Sequence, residues 1–154
     1  MARKSLSDPD CRQEIIRRIT ALQPGSVRQW RKMSAHQALC HLSDSYRSVI
    51  GERSLSSAPK SAIPQPVMKW LALKAPMKWP KGVPTRPENE QGKGGTPPTD
   101  FEHDRAMLLE SLDCFCRAED ALLGTNPILG PMTRKEWMRW GYLHADHHLR
   151  QFSV

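Results

Sequence analysis

Apolar positions in this chain recur with a period of about 3.6 residues in four segments, and each segment carries the punctuation of a helix. The first opens at "SDPD", where Asp8 stands as the N-cap and Pro9 at the first helical position. Its stripe is Ile15, Ile19 and Leu22, and "QPG" (Gln23 to Gly25) stops it. The second opens at "SAHQ", where Ser34 and Gln37 have the spacing of a capping box, in which each residue's side chain bonds the other's backbone amide. Leu39, Leu42, Tyr46, Val49 and Ile50 follow at helical spacing up to Gly51. "TDFE" (Thr99 to Glu102) has the same box spacing and starts a third helix with the stripe Phe101, Leu108, Leu112, Phe115 and Leu122, ending at Gly124. "TRKE" (Thr133 to Glu136) starts the fourth, which runs to the end of the chain. No segment shows the period-two alternation of a half-buried strand.

The stretch from Glu52 to Pro98 is different, with nine prolines, "GKGG" (Gly92 to Gly95) and the basic, aromatic piece "VMKWLALKAPMKWPKG" (Val67 to Gly82). A connection longer than about 12–15 residues inside a compact domain points to a functional loop or lid. Pro66 and Pro76 bracket a short helix over Val67 to Lys74 within it. The pattern predicts an all-α protein: one domain over residues 1–154, a four-helix bundle with a single long Pro-rich crossover, 52–98, between the second and third helices.

Composition adds little to that picture except charge. Of 154 residues 38% are hydrophobic and 25% charged, and the formal net charge of +7 favours an anionic partner without choosing among nucleic acid, acidic lipid and small carboxylates or phosphates. No apolar run approaches the ~18–20 residues that span a bilayer, so no membrane association is expected. "MARKSLSDPD" has a basic start with no apolar stretch behind it, unlike a signal peptide, and a cytoplasmic protein is expected. The four cysteines (Cys11, Cys40, Cys114 and Cys116) form no C-x-x-C pair and are expected to be free thiols.

Three of the six histidines crowd into "YLHADHHLRQFSV" at the end of the chain. His144 and His148 are four apart, hence on one helix face, and Trp137, Trp140, Gly141 and Gln151 share that face. His147 lies at its edge, and Asp146 and Arg150 lie off it. Two imidazoles buried one turn apart each need a partner for a donor and an acceptor. A divalent ion satisfies both acceptors at once. The alternative is a pair hydrogen-bonded to polar core groups or lining a wet groove. A third ligand has to come from the second helix, where His41, flanked one turn away by Ala38 and Ser45, is preferred to His36 in the first turn. His103 reads as a solvated side chain. Zinc-peptidase chemistry is excluded because the general-base Glu of H-E-x-x-H falls at Ala145, and a zinc finger because no cysteine pair precedes the histidines.

"HLSD" (His41 to Asp44) and "HADHHLRQ" (His144 to Gln151), with "WRKMSAHQALCHLSDSY", "GGTPPTDFEHDR" and "GPMTRKEWMRWGYLHADHHLRQF", resemble the DinB-like superfamily, in a bacterial branch of unassigned function. The resemblance implies a four-helix bundle that binds a divalent ion, zinc or nickel, through three histidines, which by matching position are His41, His144 and His148. It also implies a metal-dependent thiol S-transferase, isomerase or hydrolase acting on a small molecule, with a low-molecular-weight thiol as co-substrate. The chain departs from better-known members in its long crossover and in "LR" where many have "RG".

Other residues follow from these expectations. Gln151 stands where it can orient a ligand, and Asp44, one turn after His41, where it can accept a hydrogen bond from it. Lys69, Lys74, Lys78 and Lys81 with Trp70 and Trp79 form a candidate carboxylate-recognition surface, weighed against a plain role in solubility and packing. Two other classes stay open: a basic nucleic-acid-associated protein, disfavoured because no helix-turn-helix or zinc-finger signature accompanies the charge, and a non-catalytic, metal-stabilised interaction domain. A homodimer is compatible with either.

Overall fold

The computed structural model describes residues 3–56, 61–81 and 86–154. Residues 57–60 and 82–85, both within the crossover, lie outside the described residues, and Gly82 is among them. The described residues form an all-α bundle of five helices: α1 (Pro9–Ala21), α2 (Ala35–Val49), α3 (Gln65–Leu73), α4 (Phe101–Arg117) and α5 (Arg134–Leu149). Single turns of 3-10 helix follow at Pro87–Asn89, Asp120–Leu122 and Arg150–Phe152. No helix among the described residues is long and apolar enough to cross a membrane.

The expected caps form at three of the four long helices. Asp8 Oδ1 accepts from the Asp10 amide at 2.9 Å, with Pro9 as the first residue of α1. Both halves of the capping box close at Ser34/Gln37 (3.1 and 2.9 Å) and at Thr133/Glu136 (3.3 and 2.9 Å). The box expected at Thr99 does not form. Asp100 is the cap of α4, accepting from His103 N at 2.8 Å, because its carboxylate both reaches the third amide and complements the positive end of the helix dipole. The Thr99 amide donates instead to Asp104 at 2.9 Å. The third stripe also ends early: α4 stops at Arg117, and Leu122, in the turn beyond, is 56% exposed rather than in the core.

α2 lies along α4, α1 packs on α5 and α4, and α3 leans on α5. Ile15, Ile19, Leu39, Leu42, Tyr46, Leu108, Leu112, Phe115 and Trp137 fill the space between them. The register of α2 against α5 is set close to the histidines. A Cβ at Gly141 would stand 2.7 Å from a Phe115 ring carbon and 2.8 Å from Leu6 Cδ1, so glycine is what allows α5 to approach α4 and the N-terminal segment this closely. Tyr46 Oη, fully buried, donates to the Gly141 carbonyl at 3.0 Å. His41 is five residues before Tyr46 and His144 three after Gly141, so this contact holds the two histidine-bearing stretches opposite each other.

The crossover has structure of its own. Its helix begins at Gln65, two residues before the expected Val67, and ends at Leu73 ahead of Pro76. Beyond it, Asp44, 0% exposed, accepts from Thr96 N and Thr96 Oγ1, both at 2.7 Å, and pairs with Arg53 at 3.3 Å. Arg53 in turn donates to the Glu88 carbonyl at 2.9 Å and the Gly94 carbonyl at 2.8 Å. Residues 86–96 are thereby fastened onto α2. A buried carboxylate with this many donors is held in one orientation.

Candidate metal centre

His41 on α2 and His144 and His148 on α5 bring one ring nitrogen each to within 4.8 Å of one another. The ring centroids are 5.2 Å apart for His41–His144, 4.5 Å for His41–His148 and 4.9 Å for His144–His148. Hydrogen bonds on the far sides of two rings decide which nitrogen faces inward. His41 Nδ1 is 2.9 Å from the carbonyl oxygen of Asn89, which only accepts, so Nδ1 carries the proton and Nε2 is a bare acceptor. His148 Nδ1 is 2.8 Å from Gln151 Oε1, and with the amide oxygen turned to the ring the proton sits on Nδ1 and Nε2 is bare. His41 Nε2 meets His144 Nε2 at 3.2 Å. One proton shared between those two atoms satisfies only that pair, whereas a cation satisfies three acceptors together.

The electrostatics favour the ligating form of each ring. Burial lowers the pKa of His41, against the raising effects of the Asn89 carbonyl and Asp44. Burial, and then the neighbouring imidazoles, hold His144 and His148 well below the ordinary value. All three are therefore neutral at pH 7.

The sequence model of the family described as "Protein of unknown function (DUF1569)" matches residues 1–154. The chain belongs to this family. No curated protein and no solved structure matches it.

In this DUF1569 chain the expected site residues separate into those the fold gathers and those it does not. Gln151, expected to orient a ligand, meets the His148 ring instead. Asp44 does not reach His41, since its carboxylate is turned to Thr96 and Arg53. The Asn89 main-chain carbonyl takes that place, a partner with no residue signature in the sequence. His147 is buried with no hydrogen-bond partner for Nδ1 among the described residues, and burial first, then Arg150, push it down to about 4. It is not part of the triplet. His36 pairs with Asp104 at 2.7 Å on the α4 side of α2, and His103 is exposed.

Of the crossover residues, Trp79 reaches the centre, its ring 6.0 Å from His144 and 6.2 Å from His147. Trp140, from α5, lies 4.8 Å from His144. Trp30 stands 6.3 Å from His147 with Lys81 Nζ 4.4 Å above its ring. Trp70 is exposed, and Lys69 donates to the Pro131 carbonyl at 2.5 Å and pairs with Glu136 at the start of α5, so neither serves the centre. Lys74 and Lys78 are exposed, and only Lys81 is tied to the aromatic rim. His144 keeps a partly exposed edge, and the Trp79 and Trp140 rings stand beside it.

Proposed function

We propose that this chain is a divalent-metal protein of the DinB-like superfamily, with zinc or nickel held by His41, His144 and His148, that acts in the cytoplasm on a small molecule with a low-molecular-weight thiol as co-substrate. The observation that carries this reading is the pinning of His41 Nδ1 by Asn89 and His148 Nδ1 by Gln151, which leaves bare nitrogens turned to a common point. A hydrogen-bonded histidine pair needs no such arrangement. Three neutral protein ligands leave coordination positions open, the pattern of catalytic rather than structural sites. When bound, such an ion supplies a Lewis acid that lowers the pKa of a thiol or water ligand.

The chain's own residues supply the rest. Asn89 and Gln151 fix the tautomers and the ring planes. Trp79 and Trp140 shield the open side from bulk water, and Lys81 adds a positive charge at the rim, which suits the thiol or carboxylate of an incoming anion. A thiol S-transfer or isomerisation uses these features more fully than hydrolysis does, because water needs no basic, aromatic entrance. The test is metal analysis of the purified protein beside His144→Ala and His148→Ala. Each variant is expected to lose one ion per chain while His103→Ala keeps it; unchanged metal content in His144→Ala sinks the assignment.

A further inference from the structure

α2 carries a second set of ligand-type side chains on a different face. His36 and Cys40 are one turn apart and both meet Asp104 in the first turn of α4. One donor atom from each (an imidazole nitrogen, the thiol sulfur and a carboxylate oxygen) lies within 4.8 Å of the others. Cys40 is 2% and Asp104 7% exposed, and neither has a part in the three-histidine centre.

A hydrogen bond accounts for part of this: His36 Nε2 is 2.7 Å from Asp104 Oδ2. The Cys40 sulfur lies within 4.8 Å of the same carboxylate. These contacts do not account for the cavity of about 220 Å³ that opens directly on the cluster. Cys40 and Asp104 line it together with Ser43, Thr96, His103 and Met107, which adds another imidazole and a thioether to the accessible donors. Arg47 also lines it, but its guanidinium is drawn to Glu52 at 3.0 Å.

We propose that His36, Cys40 and Asp104 form a second divalent-cation site of the zinc class, separate from the three-histidine centre, with its fourth position facing the cavity. Charge supports it. A thiolate, a carboxylate and a neutral imidazole bring a divalent ion to net zero, which is what a largely buried site needs, whereas three imidazoles leave the other centre at +2. Geometry supports it too. Donors on a tetrahedral zinc-class ion stand ~3.3–3.6 Å apart, so the 2.7 Å His36–Asp104 pair has to widen by about half an ångström, which the partly exposed His36 ring can do. Binding breaks the Cys40 Sγ–H bond, passes that proton to buffer and forms a sulfur–metal bond; no electrons are transferred. The ion then ties α2 to the start of α4.

The three-histidine set contains no sulfur, so a thiolate-to-cobalt charge-transfer band in the near ultraviolet reports the second site alone. Chelator-stripped protein, kept reduced with a phosphine, is titrated with Co²⁺. Two ions per chain and a charge-transfer band saturating at one of them are expected. Cys40→Ser should abolish the band and bring the stoichiometry from two to one, and His144→Ala should keep the band and lose the other ion. His36→Gln, on a partly exposed side chain, should weaken the band-forming step at least tenfold. Absence of the band at saturating cobalt, its survival in Cys40→Ser, or unchanged affinity in His36→Gln overturns the proposal. Because the His144→Ala arm reads the three-histidine centre alone, the two sites fail separately.

Discussion

Gln151→Leu is the sharpest probe of the three-histidine centre. Gln151 is 1% exposed and its Oε1 is the acceptor for His148 Nδ1–H at 2.8 Å. Leucine has about the same volume, so packing is largely kept while the acceptor disappears. Two consequences follow. With Nδ1–H buried and unpaired, the folded chain loses about 1–3 kcal/mol. The ring escapes part of that cost by moving its proton to Nε2, the nitrogen that faces the other two histidines, and a metal then has to reverse the shift. Loss of such an outer hydrogen bond lowers metal affinity by about 10–100-fold, or about 1.4–2.7 kcal/mol. Zinc affinity is read by competition with a chromophoric chelator in a Cys40→Ser background, where only the three-histidine centre is left to fill. Gln151→Glu is the control: it keeps an acceptor and brings the centre from +2 to +1, so it should bind zinc at least as tightly as the parent. Wild-type affinity in Gln151→Leu, within twofold, refutes the tautomer argument and with it the assignment of His148 Nε2 as a ligand atom.

Stability of the metal-free protein should fall as pH drops from about 6.5 toward 4. Burial lowers the pKa of His41, His144 and His148 and pushes His147 to about 4, so in that window the unfolded chain binds more protons than the folded one, by up to about 1.4 kcal/mol per pH unit for each resisting imidazole. Urea midpoints of chelator-treated protein at pH 7 and pH 5 check this, and equal midpoints contradict it. Gly141→Ala drives a methyl into Phe115 and Leu6 and should cost about 1–3 kcal/mol in thermal unfolding, with weaker metal binding because α5 is displaced from His41; a neutral effect on both means the α2–α5 register is set elsewhere. In cobalt-loaded Cys40→Ser protein a small thiol should produce a charge-transfer band that His148→Ala lacks, and silence from every thiol tried moves the reaction toward metal-activated water. Lys81→Ala should weaken a carboxylated thiol more than a neutral one while Lys69→Ala changes neither, since Lys69 is held by Pro131 and Glu136.

The sequence by itself determined the helices and the faces they bury. Periodicity and capping are local: Ser34 with Gln37 and Thr133 with Glu136 set the starts of α2 and α5 within four residues of chain, and Ile15, Leu39 and Leu112 point inward because a 3.6-residue repeat leaves them no other side. The same repeat placed His144 and His148 together on α5, with Gln151 in the turn of 3-10 helix that follows. Thr99 misled because Asp100 beside it is the better cap, a competition between neighbours that box spacing alone does not register. Only the tertiary structure decided the rest, since contacts between distant segments leave no periodic trace. It set His41 against α5 through the Tyr46 hydrogen bond to the Gly141 carbonyl and turned Asp44 away to Thr96 and Arg53. It gave the hydrogen bond of His41 to a main-chain carbonyl 48 residues away. It also joined His36 and Cys40 to Asp104 across two helices. A backbone oxygen has no residue identity, and the side of a helix that meets a given partner depends on how the whole bundle packs.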